Sequence, residues 1–282
     1  MPRGMGASAP MSARGPDVPE PPPLPPLAEW AVPAAWRRID FVSDLHLASA
    51  LPRTFDAWAA HLLHTPADAV LMLGDLFEVW VGDDQRGGAF EQQCVQVLAE
   101  AASRRCIGFM PGNRDFLLGE AMRRDGALMA LADPTALDAW GQRLLLTHGD
   151  ALCLADVAYQ RFRAESRSEH WQRDFAALPL AERLARAGAA RADSDRRRRE
   201  QPFDPALWAD VDPAAAVAWM RAAGCHDLIH GHTHRPGDEV IAPGYTRHVL
   251  TDWDLDGAGL DRAEVLQLTR DGLARVAPSR AG

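Results

Sequence analysis

The sequence predicts an α/β fold with a parallel or mixed sheet flanked by helices. Short apolar runs, which are typical of buried strands, alternate with longer helical stretches from Arg38 onward. This alternation is the βαβ pattern that places helices against the faces of a sheet. The predicted strands are residues 38–42, 69–73, 106–110 and 144–146, then 227–230, 247–250 and 263–268, and the predicted helices are residues 53–64, 88–102 and 116–124.

Two stretches depart from this alternation. Residues 1–35 are rich in proline, glycine and alanine and lack periodicity, which predicts a disordered tail before a folded domain at 36–282. Residues 151–223 are polar and helix-rich, and we expect them to form a helical insertion over one end of the sheet rather than an independent domain. One apolar stripe is predicted on this insertion, formed by Trp171, Phe175, Leu178 and Leu184.

Composition and charge argue against several classes of protein. The 282 residues carry a net charge of −9, which is unlike a nucleic-acid-binding protein. All 30 basic residues are arginine, so any phosphate contact from a basic side chain must come from a guanidinium group. The cysteines form no Cys-x-x-Cys pair, which argues against a disulfide framework or a cysteine zinc site. The sequence has no apolar run typical of a signal peptide or a membrane span, and no obligate protein partner is evident.

Five short segments that follow predicted strands carry side chains suited to metal binding. Loops at the carboxyl ends of strands in an open α/β sheet converge on one crevice. Side chains at positions i and i+2 of an extended backbone share a face, so an aspartate–histidine or histidine–histidine pair can bind one ion. The segments are Asp44-Leu45-His46, Gly74-Asp75, Gly112-Asn113-Arg114-Asp115, His148-Gly149-Asp150 and Gly231-His232-Thr233-His234.

The donor set predicts two ions rather than one. Seven oxygen and nitrogen donors suit two ions that share a carboxylate, and Asp75 is the natural bridge because it lies alone between the other pairs. Donors without a thiolate favour Mn²⁺, and two such ions can activate water for attack on a phosphoryl group. Any single segment would more often be an ordinary loop, and Asp150 fits a supporting hydrogen bond to His148. The predicted ligands are Asp44, His46, Asp75, Asn113, His148, His232 and His234.

In this order the five segments resemble the calcineurin-type metallophosphoesterase superfamily. The resemblance implies a four-layer α/β/β/α sandwich with a helical insertion and a centre that holds two metal ions. It assigns one metal to Asp44, His46, Asp75 and His234, and the other to Asp75, Asn113, His148 and His232.

Longer motifs between about residues 38 and 253 are similar to one branch, the UDP-2,3-diacylglucosamine pyrophosphohydrolases of bacterial lipid A synthesis. That resemblance implies cleavage of UDP-2,3-diacylglucosamine to UMP and 2,3-diacylglucosamine 1-phosphate with two Mn²⁺ ions per chain. It also implies a cytoplasmic protein that associates peripherally with the anionic inner membrane. The motifs are residues 44–47, 74–84, 112–119, 148–153, 159–163 and 230–236.

Arg114 stands where many metallophosphoesterases have a histidine that assists a poor leaving group. A sugar 1-phosphate leaves readily as an anion, since its second pKa is about 6, so a guanidinium that grips the pyrophosphate is more useful there. The alternative role of Arg114 is a surface salt bridge with Asp115. The expected catalytic residues are Asp75, Asn113, Arg114 and His148. By position relative to His148, the resemblance to the branch implies substrate contacts at Asp156, Ser194 and Arg198, in addition to those expected from Asn113, Arg114 and His232.

The insertion is expected to supply an apolar groove for acyl chains, although such a stripe is more often plain packing of a helix on the core. The arginines at 196–199 could meet anionic lipid or form a solvated helical face. The sequence departs from the branch at residues 195–209, where a common lysine is absent and the chain is a few residues longer. Two alternatives remain: a metallophosphoesterase acting on a dinucleotide polyphosphate or phosphoprotein, and a non-catalytic scaffold.

Overall fold

The computed structural model describes residues 23–200 and 210–280, without the side chains of residues 194, 195 and 197–200. Its described strands form two six-stranded mixed sheets. The strands are β1 (Ala28–Ala31), β2 (Arg38–Val42), β3 (Ala69–Leu73), β4 (Cys106–Met110), β5 (Met129–Ala130), β6 (Thr135–Ala139), β7 (Gln142–Leu146), β8 (Asp227–His230), β9 (Gly237–Ala242), β10 (Tyr245–Val249), β11 (Val265–Thr269) and β12 (Gly272–Val276).

The described helices lie between these strands or in one long excursion from them. None of them is long and apolar enough to cross a membrane. They are α1 (Pro52–His64), α2 (Ala89–Ala102), α3 (Glu120–Asp125), α4 (Val157–Ser166), α5 (Glu169–Ala176), α6 (Leu180–Glu200) and α7 (Pro213–Ala223).

The first sheet has the order β12-β11-β2-β3-β4-β5, and the second has the order β1-β6-β7-β8-β10-β9. Strands β2, β3 and β4 are parallel to one another, and so are β7 and β8. The carboxyl ends of these five strands carry the five metal-type segments, so the topology brings segments that are distant in sequence to one edge of the fold.

Side-chain alternation along the strands builds the layers. On β3, Leu71 faces the core between the two sheets, where it is grouped with Leu144 of the second sheet. Its neighbour Val70 points the other way, toward Trp58 of α1. The outer face of the second sheet is covered by α7 through Trp219. The order is therefore helix, sheet, sheet, helix, and the predicted four-layer α/β fold is confirmed.

The amino-terminal boundary of the folded part was predicted wrongly. Strand β1 lies inside the stretch expected to be disordered, and it pairs in parallel with β6 at the edge of the second sheet. Trp30 packs against the core between the sheets. Leu24 and Leu27 pack against the second core, which lies between the second sheet and α7. The proline-rich composition hid this short strand, because its stability comes from pairing and burial rather than from local propensity. Residues 1–22 lie outside the described residues.

The limits of the helical insertion also need correction. Helices α4, α5 and α6 form the excursion, whereas α7 packs on the second sheet as an ordinary layer helix. Its apolar face is formed by small residues and by Trp219 and Met220. The insertion is fixed to the loop after β3 by Arg183, a buried side chain that donates to the Val81 carbonyl and pairs with Asp84.

The start of α1 has a distant cap that offers a stability test. The Asp256 carboxylate accepts the backbone N–H groups of Arg53 at 3.0 Å and Thr54 at 2.8 Å, and the Thr54 hydroxyl at 2.8 Å. We expect Asp256→Ala to lower the free energy of unfolding by about 1–2 kcal/mol, because these donors lose their partner. Urea unfolding measures the change. Asp261→Ala, which breaks only an exposed ion pair with Arg53, should cost less than about 0.5 kcal/mol, and equal losses would contradict the capping role.

Candidate active site

The predicted ligands lie on strained backbone at the strand ends. Five of the seven adopt a positive φ, between 48° and 66°, although none is glycine. Such conformations are uncommon for these residues and cluster at functional sites, where the surrounding structure maintains them. The five residues are Asp44, His46, Asp75, His232 and His234.

One group of donors is formed by Asp44, His46 and His234. The Nε2 atoms of the two histidines are 3.2 Å apart. The Asp44 Oδ1 atom lies 3.4 Å from Nε2 of His234 and 4.0 Å from Nε2 of His46. Three donors from two loops therefore face one small volume, which is the geometry that a cation requires.

A second group adjoins the first. The Asn113 Oδ1 atom lies 3.0 Å from Nε2 of His148 and 2.8 Å from Nδ1 of His232. The Asp75 Oδ1 atom lies 3.7 Å from Nε2 of His148. Donor atoms of Asp44, Asp75 and His148 all lie within 4.8 Å of one another, so the two groups form one continuous centre.

The electrostatics of this centre favour cations. Burial lowers the pKa of His148, but the charges of Asp75, Asp44 and Asp150 outweigh it and raise that pKa to about 9. His232 has its pKa lowered to about 4, first by burial and then by the charge of His148. A pocket in which buried carboxylates draw a proton onto one imidazole would draw a metal ion for the same reason. The seven donors therefore fit a two-metal centre of oxygen and nitrogen ligands.

Arg114 lies beside this centre and faces a large cavity. Its backbone N–H donates to Asp75 Oδ1 at 2.9 Å, and its guanidinium lies 3.5 Å from Glu78 and 4.0 Å from Asp75 Oδ2. The cavity has a volume of about 1080 Å³ and also receives Asn113 and His232. The guanidinium therefore lies at the cavity wall beside the candidate metal centre.

The far wall of the same cavity is aromatic and comes mainly from the insertion. The Trp171 and Phe175 rings stack at 4.5 Å, and the Phe116 ring lies 6.1 Å from Trp171. The predicted apolar stripe thus lines a cavity instead of only packing on the core. Its four members, which all contribute to the lining, are Trp171, Phe175, Leu178 and Leu184.

Comparisons with known proteins identify the family of this chain. A family model described as calcineurin-like phosphoesterase matches residues 37–236. The chain belongs to the calcineurin-like phosphoesterase family. It is 42% identical over 243 residues to a UDP-2,3-diacylglucosamine hydrolase of Xanthomonas campestris pv. campestris strain B100, covering 83% of this chain and 96% of the relative. It is also 42% identical over 250 residues to a UDP-2,3-diacylglucosamine hydrolase of Ralstonia nicotianae, covering 86% of this chain and 92% of the relative.

Among solved structures, Vps29 from Entamoeba histolytica matches with 13% identity and a TM-score of 0.41, covering 86% of this chain and 87% of that one. A dimetal phosphatase from Danio rerio matches with 14% identity and a TM-score of 0.40, covering 86% of this chain and 99% of that one. Family membership rests on the family model and the curated relatives. The prediction of a metallophosphoesterase-type hydrolase is confirmed, which removes the non-catalytic scaffold as an alternative.

Not every predicted residue of this phosphoesterase has the expected surroundings. Asp156 lines the cavity but also caps α4 by accepting the Tyr159 N–H at 2.9 Å. The side chains of Ser194 and Arg198 lie outside the described residues. The expected hydrogen bond from His148 to Asp150 was wrong, because Nδ1 of His148 lies 2.9 Å from the Leu73 carbonyl oxygen. Asp150 instead accepts from Tyr159 and Arg163.

Asp115 was missed as a structural element of the site. It is fully buried, and it accepts the N–H groups of Gly112 and Leu76 at 2.7 Å each, so it ties two ligand loops together. Burial, followed by the charge of Asp75, raises its pKa to about 6. The proposed salt bridge of Arg114 with Asp115 was wrong, because this carboxylate is engaged by backbone donors.

Two carboxylates that lie near histidine ligands, without a direct hydrogen bond to them, were also missed. Glu78 Oε2 lies 3.4 Å from Nδ1 of His46, and Asp252 Oδ2 lies 3.6 Å from Nδ1 of His234. A carboxylate close to the second ring nitrogen of a metal-binding histidine raises the basicity of that ring through its charge, and it fixes the ring orientation once a hydrogen bond forms. Glu78 stands three residues after Asp75 in the sequence and could have been suspected from it, whereas Asp252 comes close only through the fold.

Proposed function

We propose that this calcineurin-like phosphoesterase hydrolyses the pyrophosphate bond of UDP-2,3-diacylglucosamine to give UMP and 2,3-diacylglucosamine 1-phosphate. The observation that carries the proposal is the single cavity that joins Arg114 and His232 at one end to Trp171 and Phe175 at the other. A substrate that carries both a pyrophosphate and acyl chains needs a polar end for the first and an apolar end for the second. The names of the curated relatives support the same substrate.

The polar end of the cavity would bind the pyrophosphate beside two metal ions. Bound by the seven donors, two Mn²⁺ ions would supply an activated water and neutralise phosphate charge. Asp75 contributes to both donor sets in this proposal. Arg114 would grip phosphate oxygens through its fork of N–H groups, and Asn113 would orient the same phosphate. The leaving sugar 1-phosphate needs no proton, so an arginine serves better here than an acid.

The apolar end would hold the acyl chains. Trp171 and Phe175 offer a flat stacked surface, and Leu178 extends it. An apolar slot of this kind recognises hydrocarbon by area rather than by hydrogen bonds. Asp156, His232, Ser194 and Arg198 are proposed to contact the sugar and phosphate between the two ends.

We further propose that the protein works at the anionic surface of the inner membrane, on its cytoplasmic face. Phe162 and Leu184 line the cavity and are nevertheless 41% and 37% exposed, so apolar surface reaches the cavity mouth. The arginines at 196–199 would add attraction to anionic lipid. This arrangement would allow acyl chains to pass from the bilayer into the cavity.

The direct test measures UMP release from acylated and non-acylated UDP-glucosamine, with Mn²⁺ present, and identifies both products. We expect the diacylated substrate to have a far higher kcat/KM and to yield UMP with the sugar 1-phosphate. Equal rates on the two substrates would overturn the lipid assignment. Faster turnover of a dinucleotide polyphosphate or a phosphoprotein would favour another phosphoesterase activity.

The acyl slot makes a separate prediction. Trp171→Ala should raise KM for the diacylated substrate roughly thirtyfold, because burial of an aromatic side chain against apolar groups contributes about 2 kcal/mol and each 1.4 kcal/mol is tenfold. Turnover of non-acylated UDP-glucosamine should change little. Leu260→Ala is the control, since Leu260 is 88% exposed and does not line the cavity. An equal loss on both substrates would show that Trp171 supports the fold rather than the acyl chains.

A further inference from the structure

One arginine of the insertion reaches directly to the loop that carries Asn113 and Arg114. Arg167, the residue at the carboxyl end of α4, donates from its guanidinium to the Gly112 carbonyl at 3.0 Å. The same guanidinium lies 4.2 Å from the centre of the Phe116 ring. It therefore contacts this loop on both sides of Asn113 and Arg114.

Gly112 packs directly against Asp75 of the candidate metal centre. A Cβ atom added there would lie 2.1 Å from Asp75 Oδ1 and 2.4 Å from the Asp75 backbone nitrogen, so only glycine allows this approach. Its N–H donates to Asp115, and its carbonyl accepts from Arg167. The peptide is held by the core on one side and by the insertion on the other.

The loop that carries His148 is tied to the same helix. Asp150, two residues beyond His148, is fully buried, and its Oδ2 atom accepts from Arg163 at 2.8 Å. Arg167 lies 3.6 Å from that oxygen. Two loops that supply Asn113 and His148 thus depend on one face of α4.

The Asp44, His46 and His234 group has different supports. The Ser43 hydroxyl donates to Asp44 at 2.5 Å, and Asp252 faces His234. Neither of these supporting residues belongs to α4. Loss of the α4 contacts should therefore disturb one half of the centre and leave the other half in place.

We propose that Arg167 is a positioning residue that sets the Asn113–Arg114 loop and makes the Asn113, His148 and His232 metal site depend on the insertion. This inference rests on the proposed function only for the identity of the substrate. Through Arg167, the helical insertion, which is proposed to hold the acyl chains, also positions the Asn113–Arg114 loop, which is proposed to hold the phosphate. Metal affinity at one site and kcat should then fall together, while KM for the acylated substrate stays nearly constant.

The test compares Arg167→Met with Arg167→Lys and the matched control Arg161→Met. Methionine keeps a long side chain over Phe116 but removes the donor, lysine restores a donor, and Arg161 is an exposed arginine of the same helix. Calorimetric Mn²⁺ titration of metal-stripped full-length protein is the first readout. We expect two Mn²⁺ sites in the wild type. In Arg167→Met we expect the Mn²⁺ affinity to fall about tenfold to a hundredfold at one of these sites only.

Kinetics supply the second readout. Arg167→Met should lower kcat by a similar factor, Arg167→Lys should recover most of it, and Arg161→Met should match the wild type. Identical Mn²⁺ binding in Arg167→Met and Arg161→Met would overturn the proposal, and so would equal weakening of both metal sites. If Arg167→Met fails to fold, Phe116→Leu is the second variant, because it removes the ring beneath Arg167. It should lower the Mn²⁺ affinity at the same single site by a smaller factor. Unchanged Mn²⁺ binding in Phe116→Leu would overturn the proposal.

The two proposals can fail separately. If the wild type does not cleave UDP-2,3-diacylglucosamine but Arg167→Met still loses Mn²⁺ at one site, the assigned substrate is wrong and the positioning role stands. Turnover of bis(p-nitrophenyl) phosphate, which has no acyl chains, provides a rate that is independent of the assigned substrate. If the substrate is cleaved and the Mn²⁺ titration is unchanged by the variant, only the positioning role fails.

Discussion

Asp75→Asn is expected to lower kcat about a thousandfold or more and to reduce Mn²⁺ binding from two ions to at most one. Asp75 is buried, its donor atom lies within 4.8 Å of those of Asp44 and His148, and its Oδ1 atom lies 3.7 Å from His148 Nε2. In the proposed centre it is the ligand that both ions share. Asparagine keeps the shape and can still accept the Arg114 N–H, so the variant removes mainly the charge. Two-metal activation contributes several kcal/mol, and each 1.36 kcal/mol is tenfold in rate.

The matched control for Asp75 is Asp56→Asn on the exposed side of α1. It makes the same chemical change far from the centre and should leave kcat and metal stoichiometry unaltered. UMP release and calorimetric Mn²⁺ titration measure both variants. A rate for Asp75→Asn within tenfold of the wild type, with two ions still bound, would contradict the bridging role.

Arg114→Met is expected to lower kcat about a hundredfold to a thousandfold while both metal sites keep their affinity. The guanidinium is beside Asp75 and faces the cavity, but it is not a metal ligand. Removing a preorganised donor from a developing phosphate charge costs about this much in kcat. Methionine preserves the apolar part of the side chain, so the variant measures the effect of losing the guanidinium group alone.

Arg114→Lys separates charge from geometry. Lysine restores a positive charge without two parallel N–H groups, so it should recover only part of the lost rate. Arg124→Met, at an exposed arginine on α3, is the control and should match the wild type. A rise in KM with kcat unchanged in Arg114→Met would mean that Arg114 binds the ground state alone.

Much of the site could be predicted because its signals are local. Each ligand segment stands directly after a strand, and the strands were predictable from runs of consecutive apolar residues. These features depend on a few neighbouring residues, so the chain order alone reveals them. The bridging role of Asp75, inferred from its place alone between paired ligands, stays a prediction.

Other features depended on contacts between distant residues. Strand β1 has a weak local sequence pattern, and it forms because it can pair with the edge of β6 in the second sheet. Helix α7 looked like part of the insertion until its apolar face was seen against the second sheet. In the same way, nothing near Asp252 in sequence indicates that it faces His234.

The sequence by itself determined the α/β class, the loops that carry the seven donors and the helical insertion with its apolar stripe. Only the tertiary structure decided which residues hold those donors in place, including Asp115 between two ligand loops and Arg167 on the Gly112 carbonyl. The physical reason is how far apart along the chain the interacting residues lie. Strand and helix patterns arise from neighbours in the chain, whereas a supporting hydrogen bond joins groups that become neighbours only when the sheets and the insertion pack together.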